Sequence, residues 1–196
     1  ATTKLPLKNY GEFDMTVFEN KLDKEEHFSL VKSSSKKERT PLVRIHSECL
    51  TGDIFGSCRC DCGPQLQSSL SLIAENGGVL IYLRQEGRGI GLVNKLKAYA
   101  LQESGMDTVE ANLALGLPVD NRNYAIAYQI LNYLGIKEVR LLTNNPLKGE
   151  ALEKYGIAVV ERIPLEMDTT NENQKYLKTK KEKLGHLLAI NRSGHE

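Results

Sequence analysis

The chain has 196 residues, enough for one sizeable domain, and its 40% hydrophobic and 26% charged content is ordinary for a globular protein. A net charge of +1 supplies no basic surplus for holding nucleic acid, so any anion site has to be local. Apolar runs such as Val79–Leu83 are too short to span a bilayer, and the first residues lack the charged-then-apolar pattern of a leader, so neither a membrane nor a nucleic-acid partner is expected.

The first fifty residues read as strands. Glu12–Phe18 alternates in part, with Phe13, Met15 and Val17 on one face, and His27–Val31 and Pro41–Ile45 are further strand candidates. Between the last two, the polar run Ser33–Arg39 reads as a solvated connection. Beyond residue 62 the pattern changes to alternating helix and strand. Gln65–Ala74 places Leu66, Leu70 and Ile73 on one helical face and stops at Asn76-Gly77-Gly78, as glycine near a helix C-terminus should. Val79–Leu83 is continuously apolar, as in a strand covered on both faces. Helices are expected at Ile90–Leu101, Tyr124–Leu134 and Pro146–Tyr155, and strands at Glu138–Leu142 and Ile157–Val160. A last polar helix is expected at 171–188, its Lys178-Thr179-Lys180-Lys181 run forming a solvated face. The predicted fold class is α/β, with a mixed sheet: an N-terminal antiparallel strand region followed by alternating strands and helices. It is read as one domain over 1–196.

The chemistry concentrates in four places. Four cysteines lie between positions 49 and 62, and three of them form C-x10-C-x-C: Cys49, Cys60 and Cys62. Such crowding does not resemble a disulfide framework, and in a reducing cytosol a cluster of this kind is metal-binding. Three protein ligands are one short of a closed structural zinc site and match a catalytic one, which keeps a position open. His46 or Cys58 would be the fourth ligand if the site were closed. Just upstream, Arg44-Ile45-His46-Ser47-Glu48 ends a strand, with Arg44, His46 and Glu48 on one face. Arg84-Gln85-Glu86-Gly87-Arg88-Gly89-Ile90-Gly91 joins a strand to a helix, where backbone amides and arginines suit phosphate; its glycines match neither the dinucleotide nor the phosphate-loop motif. Asp120-Asn121-Arg122 reads either as the cap of the next helix or as a carboxylate–guanidinium pair near a reacting group. Thr143-Asn144-Asn145-Pro146 follows a strand end, with Lys148 just beyond, at the position where open α/β sheets bind ligands.

An open metal site and arginine-bearing loops together suit a hydrolase acting on a phosphorylated small molecule, because zinc lowers the pKa of bound water to about 7. The alternative is a binding module with a structural zinc closed by His46 or Cys58.

Over residues 44–53, 59–63, 84–92 and 141–146 the chain resembles GTP cyclohydrolase II, and the resemblance extends from about Leu5 to Leu188. It implies hydrolytic opening of the guanine imidazole ring of GTP, with release of formate and diphosphate, as the first committed step of riboflavin biosynthesis. It also implies zinc on Cys49, Cys60 and Cys62, one ion per subunit, and Mg2+ with the triphosphate. GTP would be bound by Arg44, Ile45, His46, Ser47, Glu48, Gln65, Glu86, Gly87, Arg88, Thr108, Thr143 and Lys148. Asp120 would be the proton acceptor, Arg122 the nucleophile or a charge stabiliser at phosphorus, and Tyr99 an aid to ring opening. The family works as a cytoplasmic homodimer. Cys58 stands outside the family's zinc pattern.

Overall fold

The protein is described by a computed structural model covering residues 1–21, 24–34 and 40–188. In chain order the strands are β1 (Thr2–Leu7), β2 (Gly11–Glu19), β3 (Glu26–Lys32), β4 (Leu42–Ser47), β5 (Gly78–Leu83), β6 (Glu138–Leu142) and β7 (Ala158–Ile163). The helices are α1 (Leu50–Asp53), α2 (Cys62–Asn76), α3 (Glu86–Gly89), α4 (Gly91–Glu103), α5 (Thr108–Ala114), α6 (Ala125–Tyr133), α7 (Pro146–Lys154) and α8 (Gln174–Leu184). These elements form two compact units: residues 1–47, 66–84 and 123–165 make the first, and residues 48–65, 85–122 and 166 onward make the second.

The first unit holds the whole sheet, in the order β1-β2-β3-β5-β4-β6-β7. β1, β2, β3 and β5 pair antiparallel in turn, whereas β5, β4, β6 and β7 run parallel. This is the expected mixed sheet, but β4, which falls within the expected N-terminal antiparallel region, already pairs parallel with both β5 and β6. β4 and β5 are buried almost throughout because both their faces are covered, whereas the edge strand β7 is largely exposed. Val43 and Ile45 of β4, Val79, Ile81 and Leu83 of β5, and Val139 and Leu141 of β6 form a buried core with Ile126, Ile130 and Leu131 of α6 and Leu152 of α7. On β3, β4 and β5, Tyr82 lies between Phe28 and His46, with ring centroids 4.8 Å and 5.3 Å away.

Several boundaries depart from expectation. β1 lies outside the expected strands and pairs along β2 from Thr2↔Thr16 to Leu7↔Gly11. β4 ends at Ser47, so Arg44 and His46 share a face but Glu48 falls beyond the strand. α6 is not capped by Asp120: Asn123 Oδ1 accepts from Ala125 N at 2.9 Å, and Asp120 turns to Arg122. The C-terminal helix is shorter than expected, and Thr179 and Lys180 within the supposedly solvated run are buried. Most of the expected polar loop, Ser35–Arg39, lies outside the described residues.

The second unit is helical, containing α1, the first turn of α2, α3, α4, α5 and α8. Asp107 caps α5 in a reciprocal box: its carboxylate accepts from Val109 N and Glu110 N, and the Glu110 carboxylate accepts from Asp107 N. No helix among the described residues is long and apolar enough to cross a membrane.

Ile81 is completely buried at the middle of β5. Ile81→Ala is expected to lower unfolding stability by about 2–5 kcal/mol, read as a shifted denaturation midpoint, because the cavity it leaves adds to the lost burial.

Candidate functional site

In the second unit, α1 and the first turn of α2 bring the three sulfurs of Cys49, Cys60 and Cys62 within 4.8 Å of one another. Cys49 precedes α1, Cys60 lies in the turn before α2, and Cys62 opens α2. The two segments approach closely because glycines face each other. A Cβ built at Gly63 would lie 2.4 Å from the Gly52 carbonyl oxygen, and one at Gly52 would meet the Cys60 and Cys49 sulfurs at 3.0 and 3.2 Å. Cys58, two residues before Cys60, is exposed and stands outside the cluster.

The residues fit a bound ion. Four donors at about 2.3 Å from a tetrahedral zinc stand about 3.8 Å apart, and the Cys49 and Cys60 sulfurs are 3.7 Å apart. The site also carries charge compensation. Lys95 of α4 is buried, with its ammonium donating to Cys49 Sγ at 3.1 Å and to Glu86 Oε1 at 2.9 Å. Glu86 in turn accepts from Leu50 N at 2.6 Å and from Gly87 N at 2.7 Å, tying α3 to the start of α1. Hydrogen bonds from Cys60 and Cys62 and the Lys95 charge pull the Cys49 thiol far below its ordinary value. The same sharing pushes Cys60 up to about 11 and raises Cys62 as well.

Around this centre, Tyr99 of α4 lies 4.8 Å under the Arg59 guanidinium and 5.7 Å from Lys95 Nζ, ring centroid to cation. Burial pushes the Tyr99 phenol above its ordinary value, so it is protonated at neutral pH. Asp61, between Cys60 and Cys62, is buried and accepts from Gln65 Nε2 at 2.6 Å and from Lys180 Nζ at 2.7 Å. Arg122 donates from Nε to both Asp120 oxygens at 2.9 and 3.1 Å, and from Nη2 to Oδ2. Burial raises the Asp120 carboxyl, but the bonds and charge of Arg122, helped by Arg88, outweigh it and hold the group below the usual carboxylate range. Gly87 and Arg88 both have positive φ, 61° and 62°. A non-glycine residue held there costs about 1–3 kcal/mol, and Arg88 Nη1 is buried without a hydrogen-bond partner among the described residues. Thr108 starts α5 and lines a cavity of about 290 Å3 with Arg59, Tyr176 and Thr179.

In the first unit, the carboxyl ends of β4 and β6 gather another part of the expected set. Lys148 is buried, donates to the Ile45 carbonyl at 2.8 Å and lies 5.9 Å over the Tyr124 ring. Arg44 donates to the Leu142 carbonyl at 3.0 Å. Ser47 Oγ is buried and has no hydrogen-bond partner among the described residues. The asparagine pair is structural: Asn145 caps α7 through Leu147 N, and Asn144 holds both backbone groups of Leu165.

Sequence reasoning missed Lys95 and Lys180. Each is a lysine inside a polar helix, and only the position of a distant carboxylate, Glu86 or Asp61, marks it as buried.

Among the described residues the cluster gathers three sulfur donors and no fourth ligand atom, a donor set that could hold a metal ion. The sequence model of GTP cyclohydrolase II matches residues 1–164. The riboflavin biosynthesis protein RibBA of Bacillus cytotoxicus is 58% identical over 182 residues, covering 92% of this chain and 46% of that protein. RibBA of Bacillus mycoides is 58% identical over 183 residues, covering 93% and 46%. The chain thus spans about half the length of the curated relatives it matches. Among solved structures, RibBX, a two-domain 3,4-dihydroxy-2-butanone 4-phosphate synthase from A. baumannii, is similar at TM-score 0.44 and 20% identity, over 86% of this chain and 39% of that one. The chain belongs to the GTP cyclohydrolase II family.

Because thiols must lose their protons to bind metal, loading is expected to release about two protons per ion near neutral pH, from Cys60 and Cys62. Affinity should therefore weaken on acidification. Calorimetric zinc titration in buffers of different ionisation heat measures both effects.

Proposed function

We propose that the chain hydrolyses GTP, opening the guanine imidazole ring with release of formate and diphosphate and leaving a diaminopyrimidinone that carries ribosyl phosphate. This would be the first committed step of riboflavin biosynthesis. The observation that carries the proposal is the open three-sulfur cluster, compensated by Lys95, in a chain matched by the family over residues 1–164. Cys49, Cys60 and Cys62 would hold one zinc ion per subunit, which when bound supplies a Lewis acid and a water acidic enough to be hydroxide at neutral pH. The 1–196 span is proposed to act as one catalytic module, in a cytoplasmic homodimer, with Mg2+ accompanying the triphosphate.

The chain's own residues divide the remaining work. Tyr99, held protonated, is proposed to aid ring opening by giving a proton. Arg44, Ile45, His46, Ser47, Glu48, Gln65, Gly87, Arg88, Thr108, Thr143 and Lys148 are proposed to bind GTP. The partnerless Arg88 and Ser47 atoms support a polar ligand for each. Glu86 is also proposed as a GTP contact, although both its oxygens are engaged by Lys95, Leu50 and Gly87, which favours a clamp that shapes the loop. Asp120 is the proposed proton acceptor and is ionised, as that role requires. Arg122 donates two nitrogens to Asp120, so its guanidinium is protonated and has no lone pair for attack on phosphorus. Stabilising charge on the departing diphosphate is the role this geometry supports for it.

The test is the product mixture from GTP with Mg2+. Formate and diphosphate are expected together, and a zinc chelator should abolish formate. Zinc-loaded protein that yields no formate would overturn the reading, and a product retaining the formyl group would place the chain at the formamide stage. Arg122→Ala is expected to lower diphosphate release at least 100-fold while zinc content is unchanged; turnover near the parent rate would remove Arg122 from the mechanism.

A further inference from the structure

The C-terminal helix α8 lies beyond residues 1–164, the stretch matched by the family, and no role in the proposed reaction falls to it. Within the second unit it is held at three points. Lys175 donates to the Gly105 carbonyl at 3.1 Å, Lys183 pairs with Asp107 and Glu110 at the start of α5, and Lys180 reaches Asp61. The third contact differs from the others. Lys175 and Lys183 are exposed, whereas the side chains of Lys180 and Asp61 are only 10% and 3% exposed.

Asp61 is the single residue between Cys60 and Cys62, and both its oxygens are occupied. Gln65, one turn along α2, takes Oδ2, and Lys180, 119 residues away in sequence, takes Oδ1. A carboxylate wedged between two sulfur ligands adds negative charge where three thiolates already repel one another. Buried without a cation it would turn toward solvent, and the backbone of the Cys60–Cys62 turn would follow. The Lys180 ammonium removes that drive. It is itself steadied by the Tyr176 ring, whose centroid lies 4.6 Å away.

We propose that Lys180 is a positioning residue for the metal centre: through its buried pair with Asp61, helix α8 fixes the turn that presents Cys60 and Cys62 to the ion. This rests on reading the three cysteines as a metal site. Groups that orient metal ligands from behind change affinity by about 10–100-fold when removed, and that range is the size of effect expected here.

The test uses the full chain and two variants, Lys180→Met and Asp61→Asn/Lys180→Met. Cobalt(II) is first added to the metal-free parent, where thiolate-to-cobalt absorption is expected; its absence would overturn the metal-site reading itself, separately from the latch. Zinc affinity is then measured by chelator competition, beside the melting temperature of each metal-free protein. Lys180→Met leaves a buried carboxylate unpaired and is expected to lose both stability and affinity. The double variant leaves no unpaired buried charge, so its melting temperature should return toward the parent's while its zinc affinity stays about 10–100-fold weaker and its cobalt spectrum remains altered. A double variant with both the melting temperature and the zinc affinity of the parent would overturn the proposal. So would affinity losses that only follow the melting temperature in both variants, since Lys180 would then be a fold contact alone.

Discussion

Three sulfurs within 4.8 Å of one another, in a pocket that also holds two buried carboxylates, set the constraint on which the second unit depends. Sulfur ligands attract a metal only as thiolates, and thiolates at that spacing repel strongly where water is scarce. The chain answers with two buried ammonium groups. Lys95 touches the Cys49 sulfur directly and is itself balanced by Glu86, while Lys180 neutralises the aspartate that lies between the other two ligands. The Lys95–Cys49 and Lys180–Asp61 contacts join elements that are remote in sequence, so the helices of this unit are organised around charge as much as around apolar burial.

The first unit follows another rule. Its sheet is specified by apolar patterning, with a nearly continuous buried run on β5 and a core shared with α6 and α7. Polar groups gather where the parallel strands end, because backbone carbonyls there run out of strand partners. Lys148 and Arg44 satisfy two such carbonyls, at Ile45 and Leu142. These cations are thereby held in fixed positions at the strand ends.

What was legible in the sequence follows from these two rules. All the strands but β1, and the mixed character of the sheet, could be read, because period-two alternation and continuous apolar runs are local signals; β1 and the parallel pairing of β4 could not. The cysteine cluster could be read because three cysteines at an unusual spacing narrow the chemistry by count. The capping box Asp107-x-x-Glu110 was also legible, yet the short helix α5 it starts was passed over. Lys95 and Lys180 were not legible. A helical lysine is solvated unless a carboxylate from elsewhere in the chain meets it below the surface, and no local pattern records that meeting. Asp120 misled in the opposite way: it looks like a cap, but Asn123 sits nearer the first free amide of α6 and takes that role.

The contact between Gly52 and Gly63 bears on moving this centre elsewhere. A designer grafting the site into another scaffold would be tempted to copy the three cysteines and accept whatever surrounds them. A side chain at position 63 would lie 2.4 Å from the Gly52 carbonyl and keep the two cysteine-bearing segments apart, and one at position 52 would crowd the Cys60 and Cys49 sulfurs at 3.0 and 3.2 Å. The portable unit is therefore five residues rather than three, and two of the five contribute nothing except the space they leave empty.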